Sequence, residues 1–193
     1  MKLAIAIVTS LACVSLACVS SASADCDLST DAGIAAAYKK ATGKTMSKDN
    51  GCVHKSSTFS GLVWVGSFVN DFGCRPEGVL VGCALSPSGF AAKAMARAGW
   101  AKADLATRKK LALAWLKEID DLSIVESKPD KFPKPFTAPT ATAKGKATVI
   151  ELWLVAPPGM QPIAYYSRAR FTFAEDGTHG DSEAVENLEV PLQ

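Results

Sequence analysis

The chain has little histidine, little net charge and, beyond its N-terminus, no long apolar run. Only two of its 193 residues are histidine, and 21 basic against 19 acidic residues leave a formal net charge of +2. Near-neutrality argues against wholesale nucleic-acid binding, which needs a large positive excess. No segment after the N-terminus is apolar enough for a transmembrane span, and no complete cofactor-binding motif is present. The sequence therefore predicts no cofactor and no resident metal.

The one long apolar run lies at the N-terminus. Lys2 is followed by an uncharged run, residues 3–19, and by the small residues Ala22-Ser23-Ala24. A positive start, an apolar run and a small-residue ending are the three regions of a secretory signal peptide. We therefore predict a signal peptide over residues 1–24, cleavage after Ala24, and a secreted or periplasmic mature chain without a transmembrane span.

Two cysteines inside this run leave an alternative open. Cys13 and Cys18 each follow Leu-Ala, and bacterial lipoproteins carry an acylated cysteine directly after a short leader. Such signals usually have leucine three positions before the cysteine, where this chain has Ser10 and Ser15. A discarded leader is the preferred interpretation, and a lipid anchor at Cys18 or Cys13, as in a structural envelope lipoprotein, is the alternative.

Four cysteines remain after the predicted cleavage point: Cys26, Cys52, Cys74 and Cys83. An even number in an oxidising compartment predicts two disulfides, with three pairings available. The turn-forming residues 75–78 favour a local Cys74–Cys83 bridge, which would leave Cys26 to pair with Cys52. All four are expected to stabilise the fold and not to react.

The pattern of apolar residues predicts a single α+β domain over residues 25–193. Residues 29–31 offer N-cap oxygens for a first helix that Gly43 ends. Residues 62–69 and 79–85 are apolar on both alternating faces, as expected for a covered strand pair. Residues 74–78 are predicted to turn the chain between these strands.

The second half of the domain is predicted to contain a helix pair, a strap and a hairpin. Ser86 is expected to cap a helix that ends before Gly99, and Asp104 is expected to cap the next one. Residues 127–146 contain four prolines and five lysines, which favours a linker or a surface strap. A C-terminal hairpin, residues 147–156 and 163–174, then packs on the helices, and the acidic tail 177–193 is expected to fray.

Charge is distributed unevenly along this domain. Residues 25–146 carry 18 basic and 12 acidic groups, whereas residues 147–193 carry two basic and seven acidic groups. The preferred interpretation is that two oppositely charged parts of one fold attract each other. Steering of a charged partner is the alternative.

One face of the C-terminal hairpin is the candidate binding surface. Pairing that is symmetric about residues 157–162 places Glu151 opposite Arg168 and Trp153 opposite Tyr166, with Arg170 on the same face. Aromatic and arginine side chains are the commonest energetic anchors of interfaces. Ordinary cross-strand pairing without any ligand is the alternative interpretation of the same five residues.

Taken together, these features favour an exported, disulfide-stabilised, non-catalytic binding module of the cell envelope or exterior. Its expected partner is a protein or an envelope component, and not nucleic acid. The alternative is a secreted hydrolase that uses His54 or His179 with a nearby carboxylate or serine, because histidine is the commonest general base. His179 itself is expected in a solvated acidic tail beside Asp181 and Glu183, and a deep pocket around either histidine would favour the hydrolase.

Overall fold

The computed structural model describes residues 26–47, 51–68, 74–156 and 163–191. Over these ranges the chain forms an α+β domain with three helices and two antiparallel sheets, which confirms the predicted fold class. No helix in these ranges has the length and apolar character needed to cross a membrane. The predicted signal peptide, with Cys13 and Cys18, lies outside the described residues.

The helices are α1 (Asp31–Thr42), α2 (Phe90–Arg97) and α3 (Leu105–Glu118), and a short 3₁₀ helix, Trp100–Lys102, joins α2 to α3. The strands of the first sheet are adjacent in chain order: β1 (Gly51–Lys55), β2 (Leu62–Phe68), β3 (Cys74–Val81) and β4 (Ala84–Leu85). The strands of the second sheet are β5 (Ile124–Val125), β6 (Thr140–Lys144), β7 (Ala147–Val155), β8 (Ile163–Phe173) and β9 (Glu183–Pro191). In this sheet β7 pairs with β5 and β6 along one edge and with β8 along the other, and β9 pairs with β8.

Three apolar clusters arrange these elements in layers. The largest lies between the two sheets, where α2 and α3 pack with the 3₁₀ helix and where Met95 of α2 and Trp100 of the 3₁₀ helix are buried in one cluster with Phe173 of β8. A second cluster joins α1, through Ile34, to the opposite face of the first sheet. A third covers the outer face of the second sheet. The helix pair is therefore held between two sheets, each of which has a second covered face.

Two of the predicted helix starts are confirmed at the level of single hydrogen bonds. Thr30 Oγ1 accepts from the Gly33 backbone N–H at 3.1 Å, and α1 ends at Gly43 in the left-handed conformation with φ of 72°. Asp104 Oδ1 accepts from the Thr107 backbone N–H at 2.7 Å at the start of α3. These caps satisfy N–H groups that have no partner within the helix.

The predicted cap of α2 is wrong. Ser86 has a left-handed backbone with φ of 43°, and its hydroxyl accepts from the backbone N–H of Val79 in β3 at 3.2 Å. The helix begins only at Phe90, after Gly89. Ser86 therefore ties β3 to the β4 end of the first sheet and does not start the helix.

The predicted turn over residues 74–78 is also wrong, because these residues form the first half of β3. The register shifts between Val65 and Gly66, which pair with Gly78 and Pro76 respectively. A bulge of this kind accommodates proline and glycine within a strand. Turn-forming residues here mark an irregular strand and not a chain reversal.

The predicted fraying of the acidic tail is wrong for residues 183–191. Residues 183–191 form β9, which pairs with β8 along its whole length. Part of the predicted strap is also regular, since residues 140–144 form β6 and pair with β7. The ion pairs Lys134–Glu186 and Lys146–Glu175 join the basic part of the chain to its acidic end.

The disulfide pairing differs from the predicted one. Cys26 is bonded to Cys83, with Cα atoms 5.1 Å apart, so the Cys26–Cys52 and Cys74–Cys83 pairings are wrong. Cys52 is disulfide-bonded too. The local bridge failed because residues 74–81 form an extended strand, which carries position 83 to the opposite end of the sheet from position 74. There it meets the segment that precedes α1.

Candidate functional site

The candidate binding face of the C-terminal hairpin forms, with a register shifted from the predicted one. Glu151 pairs with Arg170 and Trp153 pairs with Arg168, two positions from the symmetric pairing. Because side chains alternate with a period of two, a shift of two residues leaves each side chain on its predicted face. The loop 157–162, on which the symmetric pairing depended, lies outside the described residues.

The aromatic part of this face is covered by the chain itself. Trp153 is only 3% exposed, and the ring of Phe132 packs edge-on against it at 5.1 Å. Phe132 also packs edge-on against Tyr166 at 5.2 Å, and Phe136 packs on Phe132. The proline-rich segment therefore uses two phenylalanines to cover the aromatic residues that an external partner would contact.

The charged part of the face is neutralised internally. The Glu151 carboxylate bridges both arginines, pairing with Arg168 through Oε1 and with Arg170 through Oε2, the latter at 3.1 Å. The second guanidinium nitrogen of Arg170 pairs with Glu183 of β9 at 3.0 Å. A binding role for the five residues stays a prediction, and the contacts seen are those of ordinary sheet packing.

His179 lies in a packed site and not in a solvated tail. Its Nε2 is 2.8 Å from Asp120 Oδ2, its Nδ1 is 2.8 Å from the Gly180 carbonyl oxygen, and its ring packs on Phe171 and Phe173. The hydrogen bond to Asp120 raises the pKa of His179, although burial opposes this shift. Both acceptors are satisfied when both ring nitrogens carry protons, so the geometry favours the imidazolium ion. No ring nitrogen is then left to act as a general base toward a substrate.

We expect this pair to contribute to stability in a pH-dependent way. Because folding raises the pKa of His179 above its unfolded value of about 6.5, the contribution is complete below about pH 6.5 and is lost as the pH rises through the folded pKa. His179→Gln should therefore cost about 1 kcal/mol at pH 5.5 and clearly less at pH 9. Urea unfolding of both proteins at the two pH values measures the difference.

His54→Gln serves as the matched control, since His54 is exposed on β1. It should leave the free energy of unfolding within about 0.5 kcal/mol of the unsubstituted protein. A cost of His179→Gln that grew with rising pH would contradict the imidazolium assignment.

His54 lies in a shallow groove beside Trp64 and Asp121, with a volume of about 560 Å³. It is exposed, and no side-chain hydrogen bond to its ring is found among the described residues. The carboxylate of Glu118 lines the same groove but is occupied by the β1–β2 loop, residues 56–61. Within the part of the chain that the structure describes, His54 therefore has no partner of the kind that orients a general base.

Glu118, at the end of α3, fixes the β1–β2 loop. It accepts hydrogen bonds from the hydroxyls of Ser56, Ser57 and Thr58, the last at 2.8 Å, and from the Ser57 backbone N–H at 3.2 Å. Burial raises the pKa of Glu118, but the hydrogen bonds from Ser56, Thr58 and Ser57 outweigh it and leave this pKa below its ordinary value. The Glu118 carboxylate therefore holds the β1–β2 loop in one conformation against the end of α3.

A second, larger groove opens at the end of the first sheet that carries the β1–β2 loop and the β3–β4 turn. We call it the basic groove. Its volume is about 840 Å³, within the range of about 300–1,000 Å³ typical of small-molecule sites. One wall is the segment before α1, another is α2, and the floor is the end of the sheet with Leu62 and Val63. The Cys26–Cys83 disulfide holds the first wall in place, since Cys26 lines the groove.

Three cationic side chains line the basic groove: Lys55 from β1, and Lys93 and Arg97 from α2. Residues four apart on a helix share a face, so Lys93 and Arg97 point to the same side of α2. Lys55 contacts the Ser29 carbonyl oxygen at 2.7 Å and Asp31 at 3.3 Å. Within the described part of the chain, neither Lys93 nor Arg97 has a side-chain hydrogen bond or ion pair.

Lys55 is balanced by Asp31, which does not line the groove, whereas Lys93 and Arg97 face no carboxylate among its described lining residues. The hydroxyls of Ser29 and Ser56 already donate to Asp27 and Glu118, so Ser60 supplies the lining hydroxyl that is not committed to a described carboxylate. Hydroxyls and cationic nitrogens are hydrogen-bond donors for an anion. The arrangement is chemically suited to hold an acidic group.

Sequence reasoning missed the basic groove. Its three cations come from two elements separated by 38 positions, and only the end-on packing of α2 against the first sheet brings them together. One local signal was available, because Lys93 and Arg97 stand at the four-residue spacing of a helix face. The strand that carries Lys55 was not predicted.

Comparison of the chain with protein-family models, with curated proteins and with solved structures found no match.

Proposed function

We propose that the protein is an exported, disulfide-stabilised, non-catalytic binding module of the cell envelope or exterior, and that the basic groove holds an anionic ligand. The observation that carries the proposal is a groove with three cations, two of them without side-chain partners, and no carboxylate among its described lining residues. A cleft lined by charge of one sign raises the local concentration of ligands of opposite sign. The groove is therefore a better candidate than the hairpin face, whose charges are already paired.

Export is supported by the N-terminal sequence and by the disulfide. The charged start, the apolar run and the Ala-Ser-Ala ending have the order of a secretory leader. The Cys26–Cys83 bridge is of the kind that persists in oxidising compartments. A lipid anchor at Cys18 or Cys13 is the alternative, and the intact mass of the natural protein distinguishes it from a cleaved leader.

A non-catalytic role is supported by the surroundings of the two histidines. Both ring nitrogens of His179 are engaged, and no described residue makes a hydrogen bond that would orient the ring of His54. A histidine-dependent hydrolase needs a ring nitrogen within reach of both a nucleophile and a substrate. The hydrolase alternative therefore has less support than the binding module.

Titration with inorganic phosphate tests the proposed function. We expect saturable chemical-shift changes at the backbone amides of Ser60 and Gly61, which lie at the cationic end of the groove. The double variant Lys93→Gln/Arg97→Gln should weaken phosphate binding at least tenfold, and added salt should weaken binding to the unsubstituted protein. Amide NMR spectra recorded over a phosphate series give the dissociation constants.

The matched control is Lys102→Gln/Lys110→Gln, which removes the same charge from exposed positions that do not line the groove. It should leave the phosphate affinity within about twofold. The proposal fails if the unsubstituted protein shows no saturable change at the groove, or if the control weakens binding as much as the groove variant.

A further inference from the structure

We infer that the ligand of the basic groove is an amphiphilic organic anion, with an acidic head group joined to an apolar chain. This inference rests on the proposed function and names the class of ligand. It is carried by the volume of the groove, by the separation of charge and apolar surface along it, and by the strand order that sets its direction.

The groove is far larger than an acidic group requires. A water molecule occupies about 30 Å³, so a volume of about 840 Å³ holds many times the bulk of a phosphate or carboxylate. A ligand that fills such a site must bring further atoms behind its head group. The lining residues that lie away from the cations determine whether these further atoms are polar or apolar.

The direction of the groove follows from the strand register. Lys55 ends β1, Leu62 begins β2 and pairs with Val81 at the end of β3, and Val81 pairs with Ala84 of β4. Adjacent strands lie about 4.8 Å apart, so Lys55 and Ala84 are about 14 Å apart across the end of the sheet. The groove therefore runs across four strands from the β1–β2 loop to the β3–β4 turn.

Charge and apolar surface lie at opposite ends of this path. Arg97 is at the β1–β2 end, since its Nη1 lies 3.3 Å from the position that a Cβ on Gly61 would take, and Lys55 directly precedes the same loop. At the other end the lining residues are Val81, Ala84 and Pro87. An acidic head at the first end thus leaves the rest of the ligand against apolar side chains.

Lys93 fits the same arrangement. It precedes Arg97 by about one helical turn, on the side of α2 that lines the groove. A lysine can lay its methylene groups along an apolar ligand while its ammonium group stays in water or meets the acidic head. The apolar surface that the sheet offers is that of Val81 and Ala84, because Leu62 and Val63 are each only 2% exposed and pack into the cores on opposite faces of the sheet.

Isothermal titration calorimetry with a homologous series tests the inference. The probes are inorganic phosphate and butyl, hexyl and octyl phosphate, all below their critical micelle concentrations, with octyl glucoside as the uncharged ligand of equal chain length. Each methylene that enters the groove should tighten binding about fourfold, so octyl phosphate should bind at least tenfold more tightly than inorganic phosphate. Octyl glucoside should bind at least tenfold more weakly than octyl phosphate.

Substitutions separate the two ends of the groove. Ala84→Asp should weaken octyl phosphate at least tenfold and leave inorganic phosphate unchanged, whereas Lys93→Gln/Arg97→Gln should weaken both. Ala106→Asp, at an exposed position of α3 outside the groove, is the matched control and should change neither affinity.

The outcomes distinguish this inference from the proposed function. Equal affinity for all the phosphates overturns the amphiphile and leaves anion binding standing, whereas no binding of any phosphate overturns both. Equal affinity for octyl glucoside and octyl phosphate overturns the acidic head. Binding to vesicles of phosphatidylglycerol and phosphatidylcholine, without binding of monomeric octyl phosphate, identifies a membrane surface as the ligand and also overturns the inference.

Discussion

Replacing both Cys26 and Cys83 with serine is expected to lower the free energy of unfolding by about 4 kcal/mol. The bridge joins residues 57 positions apart, and a cross-link that closes a loop of this length removes many conformations from the unfolded chain. Domains have about 5–15 kcal/mol of stability in total, so the loss is a large share. Urea unfolding at neutral pH, followed by tryptophan fluorescence, measures it.

Substitution is preferable to chemical reduction because Cys52 is also disulfide-bonded and a reductant would act on that bridge too. The urea dependence of the free energy, the m-value, should rise in the double variant, since an unfolded chain without the cross-link exposes more surface. Cys83→Ser alone should cost as much as the double variant. A loss below about 1 kcal/mol with an unchanged m-value would show that the bridge does not restrain the unfolded chain.

Gly177→Ala is expected to lower the free energy of unfolding by about 3 kcal/mol. Gly177 is buried in the turn after β8 with φ of 84°, and an added Cβ would lie 2.6 Å from Met95 Cβ and 3.1 Å from Trp100 Cγ. The left-handed backbone costs an alanine about 1 kcal/mol. The contacts of the added methyl group with the fully buried Met95 and Trp100 increase this loss by about 2 kcal/mol, because closely packed side chains can make room only by displacing the residues around them.

Gly99→Ala is the matched control, because Gly99 has the same φ of 84° with no described atom within 4 Å of an added Cβ. It should cost only the backbone share, about 1 kcal/mol. Urea unfolding of both variants separates the two contributions. Equal losses would mean that the turn moves away from the core and that the packing seen at Gly177 adds nothing.

The helices were largely predictable because their signals are local. Thr30 and Asp104 accept hydrogen bonds from N–H groups three residues later, and Gly43 ends α1 within the same segment. Where the signal was ambiguous the prediction failed. Ser86 has the chemistry of an N-cap, but it lies four residues before the start of α2 at Phe90, and its hydroxyl accepts from Val79 in β3.

The strands were less predictable because pairing depends on residues far along the chain. β9 was missed because its acidic composition resembles that of a solvated tail, yet Glu183 and Glu186 find Arg170 and Lys134 as partners. The hairpin faces were predicted correctly and the register was not. Face depends only on alternation within each strand, whereas register depends on the geometry of the loop.

The candidate sites also combine features that local sequence determines with features that depend on distant parts of the chain. Glu151, Trp153 and Arg168 share a face as the alternation predicts, but no local pattern predicts that Phe132 covers that face. The basic groove depends on the end of the first sheet meeting α2, a contact that only the tertiary structure determines. Sequence alone therefore identified aromatic and arginine side chains that share one face of the hairpin, but this face is covered and charge-paired by other residues of the same chain.

The acidic composition of β9 bears on how neighbouring molecules meet. One side of this nine-residue strand has no adjoining strand among the described residues, and free backbone groups on such a side can template aggregation. Glu183, Glu186 and Glu189 recur along it, and Pro191 at its end lacks an N–H. Glu183 and Glu186 are paired with Arg170 and Lys134 within the chain, so the features of this edge that oppose strand pairing between molecules are the charge of Glu189 and the missing donor of Pro191.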